Sequence, residues 1–386
     1  MKESGKGRAR KGPKASRGVR QAPGAAGRGR PSSGGNRSGG RRGRGETADA
    51  AAAVKRLEAD QAKNDKGPGV PHRSGTVSVA GRPNAGKSTL VNALVGEKVA
   101  IVAPTAQTTR TSVRGIANLA NAQVVFTDTP GIHKSDSPLN RRMMDTVRAA
   151  LEGQDVILFV ADATRAIGTE DEHAVNALRD GAPCVLALNK IDRIADKRDL
   201  LPLMEQYSKL HPFTEVFAVS AKAGEGLQDL LQALVARLPE GPALFPSDQY
   251  TDQPERFLAA EFIRERVLHT TRQEVPHAVA VLIDEWEVKP RAVQGRGKQD
   301  RPQSSGAEQI TRISATILVE RPGQKKILIG KQGALLKRIG TEARLEIEKL
   351  VGGPVYLALF VRVEPNWRES ADLLDAIDWR SMVGSS

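Results

Sequence analysis

Gly81-Arg82-Pro83-Asn84-Ala85-Gly86-Lys87-Ser88 lies between a short apolar run, 76–80, and a helix-like stretch, 89–95. A glycine, four residues and then Gly-Lys-Ser at a strand-to-helix turn is the context in which a phosphate-binding loop forms. The first backbone N–H groups of a helix have no partner within it, and the helix dipole adds partial positive charge there. Glycines let that backbone approach a phosphate closely. Lys87 brings a mobile point charge, and the Ser88 hydroxyl is a ligand for Mg²⁺. All eight residues are therefore candidate nucleotide contacts.

Working outward, apolar runs at 77–80, 123–127, 156–161, 184–188 and 216–219 alternate with helix-like stretches at 139–152, 170–180, 200–210 and 227–238. Buried strands alternating with helices predict an α/β domain over 74–239, a mostly parallel sheet with helices on both faces. Ligands of such sheets sit at the carboxyl ends of the strands. Three polar motifs fall there.

The first is Asp128-Thr129-Pro130-Gly131-Ile132. A strand-end carboxylate can hold a Mg²⁺-bound water, and the glycine N–H can meet a γ-phosphate. The second is Asn189-Lys190-Ile191-Asp192. Asp192 can accept hydrogen bonds from N1–H and the 2-amino group of guanine. Adenine offers neither donor there, and a charged acceptor left unpaired costs several kcal/mol, on the order of 10³-fold in discrimination. Lys190 lies along the base and Asn189 braces the loops. The third, Ser220-Ala221-Lys222, places a backbone N–H where guanine O6 would be. The nucleotide is GTP or GDP.

Composition bounds the rest. Apolar residues make up 39% of the 386, and no apolar run approaches the roughly 18 residues that span a bilayer. The single cysteine, Cys184, excludes an internal disulfide framework and reads as a small buried residue. The net charge of +13 belongs to residues 1–73, which hold 19 Lys/Arg and 6 Asp/Glu; the remainder carries as many acids as bases. That Gly/Arg-rich segment lacks the apolar residues that offset ordering entropy and is expected to be disordered. It could neutralise nucleic-acid phosphates or touch an anionic membrane, or simply aid solubility. It shows neither the apolar region of a secretory signal nor the amphipathic face of an organellar transit peptide.

After a connector at 240–255, a second domain is expected over 256–378: a helix at 256–269, strands at 279–283 and 310–318, then Gly330-Lys331-Gln332-Gly333 between two helical stretches, and a strand at 355–363. A Gly-x-x-Gly loop alone is weak, but this order of elements matches a type II KH domain, whose loop clamps the backbone of single-stranded nucleotides. Lys325, Lys326, Lys331, Lys337 and Arg338 are candidate phosphate partners, with Gly330, Gln332 and Gly333 in the loop itself. The polar stretch 290–306 is expected to be a flexible insertion, and 379–386 a C-terminal tail.

The four nucleotide motifs, the phrase Leu244-Phe245-Pro246-Ser247-Asp248 in the connector and the Gly-x-x-Gly domain together resemble the Era family, within the TrmE-Era-EngA-like GTPases, over about 74–378. The resemblance implies that Gln107-Thr108-Thr109-Arg110 is the first switch. Thr109 would then close onto Mg²⁺ and the γ-phosphate beside Lys87 and Gly131, with Ser88 and Asp128 completing the Mg²⁺ site. It also implies a monomer, cytoplasmic and ribosome-associated or peripheral on the inner membrane, that binds near the 3′ end of 16S rRNA in 30S maturation.

Ras-type enzymes orient the attacking water with a glutamine after the second-switch glycine. Ile132 stands there and cannot, so slow turnover is expected. The position of Asn84 resembles that of the asparagine in cation-dependent relatives, which implies that it helps hold K⁺ at the β/γ-phosphates; the alternative is that it only stabilises the turn. His133 is expected to be a mobile surface residue rather than a base. Two other function classes stay open: an RNA chaperone for which GTP is a structural ligand, and a membrane-associated cell-cycle GTPase.

Overall fold

The computed structural model describes residues 71–105, 107–132, 137–178, 181–271, 275–290 and 309–380. The tail up to residue 70, His133, the insertion from 291 and the residues from 381 onward lie outside the described residues.

The first domain is built on a six-stranded sheet of β1 (Arg73–Ala80), β2 (Val113–Leu119), β3 (Ala122–Asp128), β4 (Val156–Asp162), β5 (Cys184–Asn189) and β6 (Glu215–Val219), in the order β2-β3-β1-β4-β5-β6. All neighbours run parallel except β2, which pairs antiparallel with β3. On one face lie α1 (Lys87–Val95) and α5 (Leu227–Arg237), packing Leu90, Leu94, Leu230 and Leu234 onto Val77, Val79, Val124 and Phe126. On the other lie α2 (Pro138–Leu151), α3 (Thr169–Asn176) and α4 (Leu200–Leu210), packing Val147, Ala174 and Tyr207 onto Ile157, Phe159 and Leu186. A parallel sheet buried on both faces is the arrangement expected of such apolar strands.

Strand β2 is absent from the sequence reading. Its alternation is broken by Gly115, and the structure shows why a glycine stands there: a Cβ would lie 2.8 Å from Val95 and 2.9 Å from Val99. Close packing against α1 removes the side chain that would have marked a strand. This edge strand is covered by the connector. Gln123 accepts from the N–H groups of Leu244 and Phe245 at 2.7 and 2.8 Å, and Ile116 N–H donates to Tyr250 O at 2.9 Å.

The second domain follows as α6 (Glu255–Thr270), β7 (Ala280–Pro290), β8 (Gln309–Val319), α7 (Pro322–Ile329), α8 (Ala334–Val351) and β9 (Val355–Val363). Its sheet runs β7-β8-β9, with β8 antiparallel to β7 and parallel to β9. Strand β7 reaches Pro290 rather than ending at Ile283; past a bulge at Asp284 its polar residues face solvent, which hid it from an apolar count. A short α9 (Ala371–Ala376) and the fully buried Trp367 close the domain against Leu139 and Met143 of α2. Trp379 and Arg380, expected in a tail, are held: Trp379 Nε1 donates to Ser112 O at 3.0 Å and Arg380 to Ser112 Oγ at 2.8 Å. Among the described residues no helix is long and apolar enough to cross a membrane.

Candidate functional site

The strand order brings the carboxyl ends of β1, β3, β4 and β5 to one edge, and the predicted motifs meet there. Gly81 to Gly86 turn from β1 into α1. A Cβ on Gly81, whose φ is +141°, would lie 2.3 Å from Val160 O, and one on Gly86 would lie 2.4 Å from Asn189 Nδ2. Only glycines fit that loop against β4 and β5. Gly131 is equally confined, its Cβ position 2.6 Å from Pro83 Cα, so the loop after β3 lies on the phosphate loop.

Lys87 is buried, with Nζ donating to the carbonyls of Gly81 and Arg82 at 3.0 and 3.1 Å. Burial pulls its pKa from 10.5 to about 8 against the opposing pull of Asp128. Asp128 is itself fully buried, and burial raises its pKa despite Lys87 and hydrogen bonds from Ser88 and Thr109. Its Oδ2 accepts from Ser88 Oγ at 2.6 Å and Thr109 Oγ1 at 3.1 Å, and those two hydroxyls are 2.9 Å apart. Asp128 Oδ1 is buried with no hydrogen-bond partner among the described residues. Three hard oxygens around an unsatisfied carboxylate oxygen are a donor set that fits Mg²⁺. Thr129 Oγ1 donates to Val79 O at 2.7 Å and so anchors the loop rather than facing it. Ile132 is 3% exposed and packs into the core with Ala80.

On the base side, Asn189 ties three loops, donating to Ala85 O at 3.0 Å and accepting from Ala221 N at 3.0 Å. Asp192 Oδ1 accepts from Ser220 Oγ at 2.7 Å, while Ile191 is buried. Lys190 Nζ donates to Asn84 O at 2.6 Å and to Asp162 Oδ2 at 2.7 Å. Asn84 holds a positive φ of 62° and donates to Pro104 O at 3.5 Å, at the edge of the first switch.

Asp162, at the end of β4, and Asp171, in α3, were not anticipated. Asp162 accepts from Lys190 and from Thr164; burial opposes its ionised form, but these hydrogen bonds hold its pKa below the usual carboxylate range. Arg82, 8% exposed, points the same way, with Asp171 at 3.3 Å and Asp162 at 3.9 Å. Tyr207 fixes Asp171 by a 2.9 Å hydrogen bond. A cleft of about 1000 Å³ opens here, lined by Arg82, Asn84, Gln107, Asp162 and Lys190 among others.

In the second domain, Gly330 (φ +70°), Gln332 (+52°) and Gly333 (+79°) all take positive φ in the turn between α7 and α8, the last two in the left-handed region. A Cβ on Gly330 would lie 2.8 Å from Leu335 Cβ. Lys326, Lys331 and Lys337 are exposed with no carboxylate partner among the described residues, whereas Arg338 pairs with Glu342 at 2.8 Å. Lys325 is half-buried on α7.

The two domains meet at the first switch. Glu265 of α6 accepts from Val102 N at 2.9 Å and pairs with Lys98 at 2.6 Å, and Arg264 donates to Thr108 O. Arg110 donates to Val279 O at 2.6 Å and lies 5.4 Å over the Trp367 ring.

Residues 76–190 match the family described as 50S ribosome-binding GTPase, and residues 303–368 match the KH domain. The chain is 45% identical over 313 residues to GTPase Era of Syntrophus aciditrophicus, covering 81% of this chain and 97% of that protein. It is 45% identical over 310 residues to GTPase Era of Leuconostoc citreum, covering 80% and 96%. Among solved structures it resembles a point variant of Aquifex aeolicus Era bound to GDP·AlF4⁻, with a TM-score of 0.72 and 39% identity over 80% of this chain and 99% of that one. The same TM-score, identity and coverage relate it to Era in complex with MgGDPNP and nucleotides 1506–1542 of 16S ribosomal RNA. With a phosphate-loop domain that hydrolyses GTP and a C-terminal RNA-binding KH domain, the chain belongs to the Era family of GTPases.

Proposed function

We propose that this chain is a nucleotide-gated binder of small-subunit rRNA, contacting the 3′ region of 16S rRNA in the cytoplasm during 30S maturation. The relative solved with nucleotides 1506–1542 of 16S rRNA supports the RNA class. One observation carries the gating. Thr109 hydrogen-bonds Asp128 in the nucleotide site, while its neighbours Thr108 and Arg110 hydrogen-bond the KH domain. The first switch cannot leave the nucleotide without pulling on both contacts.

In this reading the N–H groups at the start of α1 hold the β-phosphate, and Lys87 exchanges its two carbonyl acceptors for phosphate oxygens. Asp192, with Ser220 and Ala221 behind it, reads guanine. Ser88, Thr109 and Asp128 would hold Mg²⁺, which when bound neutralises charge on the phosphates. With Ile132 turned into the core, no side chain at that position meets the attacking water, so this chain contributes mainly positioning and fixed charge. Loss of the γ-phosphate releases Thr109, and the switch contacts to α6 and Val279 change with it.

Crosslinking on 30S subunits, mapped to single nucleotides, tests this. Contacts near the 3′ end of 16S rRNA with GDPNP that weaken with GDP are expected. Dispersed contacts that ignore the nucleotide would leave a plain RNA binder.

A further inference from the structure

The helices of the KH domain cover one face of its sheet, against Ile313, Ala315 and Ile317. The other face is covered over only part of its length, where Ala280 and Leu318 meet α2, Trp367 and Leu374. Beyond that cover the face carries large aromatics in water. Tyr356 and Phe360 are 55% and 58% exposed and lie four residues apart on β9. They share a face, separated by about 13 Å at the usual strand rise. Small Ala358 lies between them, paired with Ser314 of β8, so the floor between the rings is flat. Arg312 pairs with Tyr356 and holds its guanidinium 5.4 Å from the ring centroid, and Arg362 stands exposed two residues past Phe360. Acids border this row: Glu287 of β7 lies directly opposite Arg312, Asp284 accepts from Thr316, the partner of Phe360, at 2.8 Å, and Glu364 lies past the end of β9, 3.4 Å from Arg362; none of them stands between the two rings on β9.

Exposed rings have no hydrophobic reason to stay in water, and aromatics alternating with arginines on an open sheet suit nucleobases, which stack on rings and guanidinium planes alike. The two cations favour a phosphate-bearing partner over an apolar protein surface, against which they would have to be desolvated. The surface is also continuous with the Gly-x-x-Gly side of the domain. Strand β9 is the sheet edge, and its opposite face packs Leu359 near Gly340 of α8, where a Cβ would stand 3.4 Å from the leucine.

We propose that Arg312, Tyr356, Phe360 and Arg362 form a second RNA contact on the outer face of the KH sheet, stacking unpaired bases that lie beyond the nucleotides clamped at Gly330–Gly333. This rests on reading the KH domain as an RNA binder, and the test separates the two. Fluorescence anisotropy with the full chain and GDPNP would compare the 16S fragment 1506–1542 with windows of about six nucleotides tiled across it. Tyr356→Ala with Phe360→Ala should leave the best window's affinity unchanged and weaken the whole fragment by about tenfold or more. Tyr356→Phe, which keeps the π-face, should bind the fragment like the parent. Replacing Gly330 and Gly333 by Asp should abolish binding of the window. A fragment affinity within about twofold of the parent for the double alanine variant overturns the second contact and leaves the loop reading standing. The second contact is equally overturned if that variant binds RNA normally but shifts a monomer–dimer equilibrium in sedimentation. A parent protein that binds neither RNA overturns both readings.

Discussion

Arg110 leaves the first switch to donate a 2.6 Å hydrogen bond to the carbonyl of Val279, in the other domain, while Thr109 beside it faces Asp128. Two adjacent residues thus contact different domains. A coupling of this kind is commonly worth about 1–3 kcal/mol, about 5- to 150-fold in affinity. Arg110→Ala should bring the RNA affinities measured with GDPNP and GDP to within about twofold of each other, with GTP affinity kept. An undiminished difference would show that the nucleotide reaches the KH domain by another route, such as α2 on Trp367.

Asp192 is oriented by Ser220 and has no ion-pair partner among the described residues, which fits the guanine contact proposed for it. Asp192→Asn turns one acceptor into a donor. Preference should move from guanosine to xanthosine nucleotides, with GTP affinity falling by on the order of 10³. Unchanged GTP binding in a competition assay would remove Asp192 from the base site.

Asp162 links the base side to the phosphate side, accepting from Lys190 beside Arg82. Lys190 is partly exposed, so solvent screens the pair and its loss costs less than that of a fully buried one. Asp162→Asn should weaken GTP and GDP equally, by roughly tenfold or more, because the contact does not reach the γ-phosphate. A loss confined to GTP would place Asp162 in hydrolysis instead.

Asp162 also marks where sequence reading stops. The four nucleotide motifs were legible because each is contiguous and its chemistry is local: a loop, a helix start, a carboxylate at a strand end. Asp162 is likewise a carboxylate at a strand end, but its meaning depends on β4 lying between β1 and β5, which only the sheet order reveals. Asp171 depends in turn on Tyr207, thirty-six residues away. Ile132 was legible as a missing glutamine, not as a core residue. Trp379 was lost because one aromatic after a polar helix carries no periodicity. The KH strands were legible where one face is buried, and β7 faded where both faces meet solvent.

Lys87 gives a pH signature. Burial lowers it to about 8 in the nucleotide-free protein, against 10.5 for the unfolded chain. Between those values the unfolded state holds more protons, so stability rises with pH across that window and the full penalty, about 3 kcal/mol, applies below it. Lys87→Met should lack this rise. Thermal melts of both proteins without nucleotide from about pH 7.5 to 10 should converge as pH increases; a constant gap would mean Lys87 keeps its ordinary pKa.

We propose that Asn84 makes turnover depend on a monovalent cation. It sits exposed at the lip of the phosphate loop, its amide nitrogen toward Pro104 and its backbone carbonyl under Lys190. The side-chain oxygen faces no donor among the described residues, and a carbonyl-type oxygen is a suitable ligand for K⁺. With Ile132 supplying nothing to the water, a cation at that lip would add the positive charge the transition state needs. GTP hydrolysis at fixed ionic strength should be faster in K⁺ than in Na⁺ by on the order of tenfold, equivalent to about 1.4 kcal/mol of barrier. Asn84→Ala should erase the difference while leaving GDP affinity near that of the parent. Equal rates in the two salts for the parent protein would reduce Asn84 to a turn residue and leave catalysis to Lys87, Thr109 and the backbone around Gly131.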